Sequence, residues 1–74
     1  MYAIDGEALR RLRRAALLSQ RELAEKAGIM QSTVSRLEVG KQSAYAPTVR
    51  ALSKALGVDA SAFLEKEHGD QRER

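Results

Sequence analysis

The apolar positions of this chain recur at helical spacing, and the first helix they predict is amphipathic. It is expected to begin after Asp5, which can cap it, and to bury Leu9, Leu12 and Ala16, which follow the i, i+3, i+7 spacing of one stripe. One face of this helix should therefore pack on a core. The opposite face carries basic side chains, at Arg10, Arg11 and Arg14.

Two short helices joined by a glycine turn are expected next. Ser19 and Glu22 have the spacing of a capping box, which marks the start of the first of them. Gly28 suits the left-handed position that ends a helix. The second helix of the pair is expected over about residues 31–38, with Gly40 after it. A helix, a short turn containing glycine and a second helix is the plan of a helix-turn-helix.

The remainder of the chain adds two more expected helices and a polar end. Residues 41–46 are predicted to form a polar loop, after which Thr48 is expected to cap a fourth helix and Asp59 a short fifth one. Residues 65–74 contain no apolar side chain and are predicted to be a disordered tail. The sequence thus predicts one all-α, compact five-helix domain over residues 1–64.

Composition agrees with a small helical domain. Of the 74 residues, 43% are hydrophobic but only 4% are aromatic, so the core must be built from Leu, Val, Ile and Ala, which suits packed helices. The chain has no cysteine, and its longest apolar run, Ala15–Leu18, is far below the roughly 20 residues of a membrane helix. No secretory signal is visible over Met1–Glu7, so a soluble protein of the cytoplasm is expected.

The charge distribution is compatible with nucleic acid as a partner, and the sequence contains no recognisable enzyme site. The formal net charge is +3, and residues 5–41 carry an excess of basic side chains. Such a surface suits polyphosphate, although a solvated helix face has the same composition. His68, the single histidine, lies in the expected tail with no partner at ligand spacing. Catalysis, a metal site and a cofactor are therefore not expected.

The third expected helix carries a polar face that matches base edges. Opposite its apolar side at Val34 and Leu37, the helical wheel places four polar residues without an acid among them, Gln31, Ser32, Ser35 and Arg36. Glutamine can pair bidentately with adenine and arginine with guanine in the major groove. Any exposed helix face is polar, however. This feature alone therefore fits an ordinary solvated face as well as it fits a base-contacting one.

Residues 19–41, with the sequence SQRELAEKAGIMQSTVSRLEVGK, resemble the helix-turn-helix of the phage repressor and Cro family, which is shared by the xenobiotic-response-element class of bacterial regulators. The matching positions are Ser19, Gln20, Leu23, Ala24, Gly28, Ile29, Val34, Ser35, Leu37, Glu38 and Gly40. Residues 47–64, PTVRALSKALGVDASAFL, resemble the closing helices of the same family. The resemblance implies a transcriptional regulator that binds duplex DNA through its third helix in the major groove.

The resemblance also implies roles for individual residues. Bases would be contacted by Gln31, Ser32, Ser35 and Arg36, and the DNA backbone by Gln20, Thr33 and Lys41. Arg13 stands where several family members have the partner of the residue at Glu38, and the helical wheel places both beside apolar stripes. A structural ion pair between the first and third helices is therefore expected, with a plain exposed arginine as the alternative.

One recognition helix makes few contacts, so the resemblance favours a homodimer on a two-fold-related operator. Family members often pair near Val58, Phe63 and Leu64, although Phe63 and Leu64 could instead close the core of a monomer. The competing class is a helical protein-interaction module, antitoxin-like or a scaffold, with no direct DNA role. Regulation would come from the protein level, dimerisation or a partner protein.

The sequence departs from the family pattern at two positions and in the length of one loop. Met30 replaces the usual Ser or Thr cap of the third helix, at a cost of about 1 kcal/mol. Val39 replaces the common Asn near the phosphate backbone, which leaves that contact open. The loop before Pro47 is longer than the common form, and its Tyr45 is expected to cover the core rather than to contact DNA.

Overall fold

The computed structural model describes residues 1–40 and 42–65, and this part folds into four α-helices, a two-stranded sheet and one 3₁₀ turn. In chain order the elements are β1 (Tyr2–Ala3), α1 (Gly6–Ala15), α2 (Gln20–Ala27), α3 (Gln31–Val39), β2 (Ser43–Ala44), α4 (Ala46–Leu56) and the 3₁₀ helix (Ala60–Ala62). The predicted helical fold with a helix-turn-helix is confirmed. The count of five α-helices is wrong, because the last element is a 3₁₀ turn of 3 residues.

α1 begins where the sequence predicts and ends earlier than its apolar pattern suggests. The Asp5 carboxylate accepts from the amide of Ala8 at 3.1 Å, which caps the helix. Leu9 is completely buried in the core. Ala16, expected on the buried stripe, is exposed, because the chain leaves the helix before it and turns through Leu17.

The ends of α2 and α3 follow their local sequence signals. Ser19 Oγ accepts from the Glu22 amide at 3.0 Å, and Glu22 Oε1 accepts from the Ser19 amide at 2.8 Å, which completes the predicted capping box. Gly28 ends α2 in the left-handed region, with φ 72°, as predicted. Gly40 likewise ends α3 with φ 93°, and both helices have their predicted bounds to within a residue.

α4 begins before its predicted cap. Its N-cap is Tyr45, in extended backbone, whose carbonyl accepts from the Val49 amide at 3.0 Å. Pro47 lies in the first turn, where a missing N–H removes no helical hydrogen bond. Thr48 therefore stands inside the helix, and the prediction that it caps α4 is wrong.

Short strands join the start of the chain to the segment before α4. β1 pairs with β2 in antiparallel register, with Tyr2 opposite Ala44. The N-terminal segment also bonds to the end of the described chain, where the Asp5 amide donates to the Phe63 carbonyl at 2.8 Å. Residues 41–46, predicted as a loop, thus include a strand, because a pairing partner distant in sequence completes it.

One hydrophobic core lies between the helices. Its largest fully buried side chains are Phe63, Ile4, Leu9, Leu23, Leu52 and Val34. Phe63 has no exposed surface, because the 3₁₀ helix packs on α4 and turns this side chain inward. Its predicted place in a dimer surface is therefore wrong, and it closes the core of the monomer instead. Within the described residues, no helix is long and apolar enough to span a membrane.

Candidate nucleic-acid interface

α2 and α3 form the helix-turn-helix, and α1 also packs against α3. α3 is held by its apolar side, where Val34 is completely buried and Leu37 is 2% exposed. Between α2 and α3, the Ile29 amide donates to the Ala24 carbonyl at 3.0 Å and closes the turn. This packing leaves the opposite side of α3 facing solvent.

The solvent-facing side of α3 brings together the residues predicted to contact bases. Gln31, Ser32 and Arg36 are exposed, and Ser35 is half-buried. Thr33, predicted to contact the DNA backbone, is half-buried as well. Arg36 forms no ion pair with any residue that the structure describes. Its guanidinium and the neighbouring amide and hydroxyl groups are available to hydrogen-bond a ligand.

A buried ion pair joins α1 to α3. Arg13 Nε and Nη2 donate to Glu38 Oε2 and Oε1 at 2.6 and 3.1 Å, in a bidentate arrangement. The two side chains are 10% and 4% exposed. The hydrogen bond to Glu38 raises the pKa of Arg13 above its usual value, so the guanidinium stays charged. The structure thus brings together the two side chains that the sequence pairs.

The ion pair also forms hydrogen bonds to two groups that the sequence did not predict as its partners. Arg13 Nη1 donates to the Leu18 carbonyl at 2.8 Å, which fixes the turn between α1 and α2. Gln20, the half-buried first residue of α2, donates from Nε2 to Glu38 Oε1 at 3.0 Å. A side-chain amide has two N–H donors, so Gln20 keeps one for its predicted phosphate contact. No spacing in the sequence signals the bond between Gln20 and Glu38.

The close packing of α1 on α3 requires a glycine at position 6. A Cβ on Gly6 would lie 2.5 Å from the Leu37 carbonyl oxygen and 2.6 Å from that of Glu38. Both oxygens belong to the backbone, so no side chain can move aside. Gly6 therefore sets the distance between α1 and the C-terminal end of α3. This role of Gly6 was not predicted, and the glycine at the start of a helix is its available signal in the sequence.

Lys41 falls outside the described residues, as do residues 66–74 of the predicted tail. Val58 and Leu64 are half-buried and keep some surface for a partner. Tyr45 is 68% exposed, so the prediction that it covers the core is wrong. The preceding strand residue, Ala44, takes the buried position, and strand alternation turns Tyr45 outward.

The chain matches a known protein family but no curated protein. The model of a helix-turn-helix family matches residues 9–63, a range that includes all of α2, α3 and α4. Among curated proteins, none matches the chain. The matched range contains Arg13, Gln20 and the solvent-facing side of α3, so the site described above lies within the family's domain.

Solved structures resemble the chain in both fold and sequence. The restriction-modification controller protein C.AhdI from Aeromonas hydrophila is 33% identical, with a TM-score of 0.73 over 77% of this chain and 86% of that one. The N-terminal DNA-binding domain of the master biofilm regulator SinR from Bacillus subtilis is 28% identical, with a TM-score of 0.71 over 89% and 97%. Streptomyces albus HEPD is 31% identical, with a TM-score of 0.73 over 84% of this chain, but the match spans only 14% of HEPD.

Proposed function

Since the chain belongs to the helix-turn-helix family of the Cro/C1 type, we propose that it is a cytoplasmic transcriptional regulator that binds duplex DNA sequence-specifically and catalyses no reaction. The solvent-facing side of α3 carries this proposal, because a guanidinium, an amide and hydroxyl groups share it without an acidic neighbour. The relatives point the same way, since the matched part of SinR is a DNA-binding domain and C.AhdI is a controller protein.

In the proposed complex, α3 lies in the major groove, which is wide enough for an α-helix. Residues near the N-terminus of a recognition helix meet the base edges first. Gln31 and Ser32 stand in the first turn of α3, and Ser35 and Arg36 stand one turn later. Arg36 is expected to donate to O6 and N7 of a guanine, the commonest specific contact of an arginine.

The DNA backbone is contacted on either side of α3 in this proposal. Gln20 begins α2, where free amides and the helix dipole favour an anion. Its Nε2 is oriented by Glu38, so the second N–H of that amide is left to donate to a phosphate oxygen. Thr33 adds a contact from α3. Lys41 keeps its proposed backbone contact on the resemblance alone.

We further propose that two copies bind one operator whose halves are related by a two-fold axis. α3 has 9 residues, and a single helix of that length contacts few base pairs. A second copy doubles the contacts, with half-sites about 34 Å apart or a multiple of that distance. Val58 and Leu64, which keep exposed surface, are the residues proposed to meet between the copies.

Selection from a random duplex library tests the proposed function. The full chain is expected to enrich a motif with two-fold symmetry. Its affinity for that motif is expected to fall steeply as salt rises, because contacts to phosphates release bound counterions. Failure to enrich any motif, at low salt and high protein concentration, would contradict the proposal and would favour a protein-interaction module.

The variant Arg36→Ala tests the assignment of the base contacts. Its affinity for the selected motif is expected to fall by about 1–3 kcal/mol, with little change on random duplex, since a bidentate contact depends on the base. Arg11→Ala is the matched control, because it removes the same charge from an exposed position on α1, in a groove with Asp5 and Ser61. Equal losses of Arg36→Ala on motif and random DNA would contradict the assignment.

A further inference from the structure

An exposed methionine stands at the N-terminal end of α3. Met30 is the N-cap of this helix, and its carbonyl accepts from the amides of Thr33 and Val34 at 3.0 and 3.3 Å. These bonds fix the position of its backbone at the helix entrance. Its side chain makes no capping hydrogen bond and is 70% exposed, whereas the preceding Ile29 packs against the core. The backbone of Met30 is therefore fixed, and most of the residue is exposed to solvent.

Met30 is continuous with the face that is proposed to contact bases. Gln31 and Ser32, which follow it directly, are both exposed. When a recognition helix enters the major groove, its N-terminal residues contact the base edges. A side chain at the N-cap of α3 would then be covered by DNA rather than by protein. Burial of this apolar side chain is most favourable where it meets an apolar group on the DNA.

The chemistry of the major groove limits what that partner can be. Three of the four bases present only hydrogen-bond donors and acceptors there, and thymine adds a C5-methyl group. The thioether side chain of methionine has no donor and only a weak acceptor, but it is flexible and packs well against small apolar groups. We infer that Met30 is a further specificity-determining residue, which selects thymine by contact with its C5-methyl group. This inference rests on the proposed function.

Replacement of thymine by uracil in the operator tests the inference, because it removes the methyl group alone. Each thymine of the selected motif is replaced in turn, and affinities are measured for the wild-type chain and for Met30→Ser. Serine is a preferred N-cap, so this variant is expected to fold at least as stably as the wild type. At one position of the half-site, replacement of thymine by uracil is expected to lower the affinity of the wild-type chain about fourfold. This is the effect of no longer burying one methyl-sized group. Met30→Ser is expected to bind thymine and uracil equally there.

Val39→Ser serves as the matched control. Val39 is 74% exposed and is the last residue of the same helix, about 12 Å along its axis from Gln31 at 1.5 Å per residue. It is expected to keep the wild-type preference at the position that depends on Met30. If no position shows a thymine preference that Met30→Ser abolishes, the inference is wrong while the proposed function stands. If the wild-type chain selects no motif at all, the proposed function itself is wrong.

Discussion

At the scale of single residues, Leu17 adopts a backbone conformation that residues other than glycine disfavour. Among residues 1–40 and 42–65 it is the one non-glycine residue with positive φ, at 61°, and its side chain is 89% exposed. Hydrogen bonds hold the turn on both sides, from the Leu17 amide to the Arg14 carbonyl at 2.9 Å and from the Leu18 amide to the Arg13 carbonyl at 3.2 Å. This turn brings the Leu18 carbonyl within reach of the Arg13 guanidinium.

Replacement of Leu17 by asparagine is expected to stabilise the fold. Asparagine tolerates the left-handed region far better than leucine, and the lost side chain buries almost no surface. The free energy of unfolding should rise by about 1 kcal/mol in urea denaturation. Leu17→Ala is the control, since alanine keeps the Cβ that causes the strain and should leave stability nearly unchanged. A loss of stability in Leu17→Asn would show that the turn is not strained.

The Arg13–Glu38 pair gives a second prediction at this scale. Arg13→Met leaves the Glu38 carboxylate buried with Gln20 as its remaining side-chain partner, and should cost about 3–5 kcal/mol of unfolding free energy. The double variant Arg13→Met, Glu38→Leu removes both charges and should cost less than the sum of the single variants. A double-mutant cycle in urea measures this difference. If the losses of unfolding free energy in the single variants add up to that of the double variant, Arg13 and Glu38 do not stabilise the fold through their interaction.

At the scale of elements, the ends of a helix can be predicted where the signal lies within a few residues. The prediction is wrong where the end depends on contacts between distant segments. The capping box at Ser19 and the left-handed Gly28 act within a few residues, so the bounds of α2 follow from the sequence. Pro47 makes Thr48 resemble a cap, yet α4 begins at Ala46, directly after Tyr45 and strand β2. Strands of 2 residues show no periodicity and depend on contacts between distant segments.

The contact between α1 and α3 leads to the prediction at this scale. Gly6→Ala should destabilise the fold by about 3 kcal/mol, because its Cβ would overlap backbone carbonyl oxygens of α3 and force the helices apart. Gly28→Ala is the control, since nothing lies within 4 Å of a Cβ there and only backbone strain of about 1 kcal/mol is added. Urea denaturation separates the two. A similar loss of unfolding free energy in both variants would mean that the close packing of α1 on α3 does not require a glycine at position 6.

At the scale of the whole molecule, the two sides of α3 differ in how far the sequence determines them. The helical wheel was sufficient for the exposed side, because Gln31 to Arg36 lie on one continuous helix. It was not sufficient for the bond from Gln20 to Glu38, which requires α2 and α3 to meet at a definite angle. Nor could it decide between a dimer contact and a core position for Phe63, since both need an apolar side chain. Burial in the folded monomer makes that decision.

The proposed pairing of two copies makes a prediction about operator spacing. Insertion of 5 base pairs between the two half-sites turns one of them by half a helical turn, to the opposite face of the duplex. A dimer joined near Val58 and Leu64 could then bind only one half-site, because the distance and orientation between its two α3 helices are fixed. Affinity in a gel-shift titration should fall at least about 100-fold, toward that of an isolated half-site. Substitution of 5 base pairs between the half-sites, without insertion, is the control and should change affinity far less. A chain that binds as independent monomers would bind the inserted and substituted operators equally well.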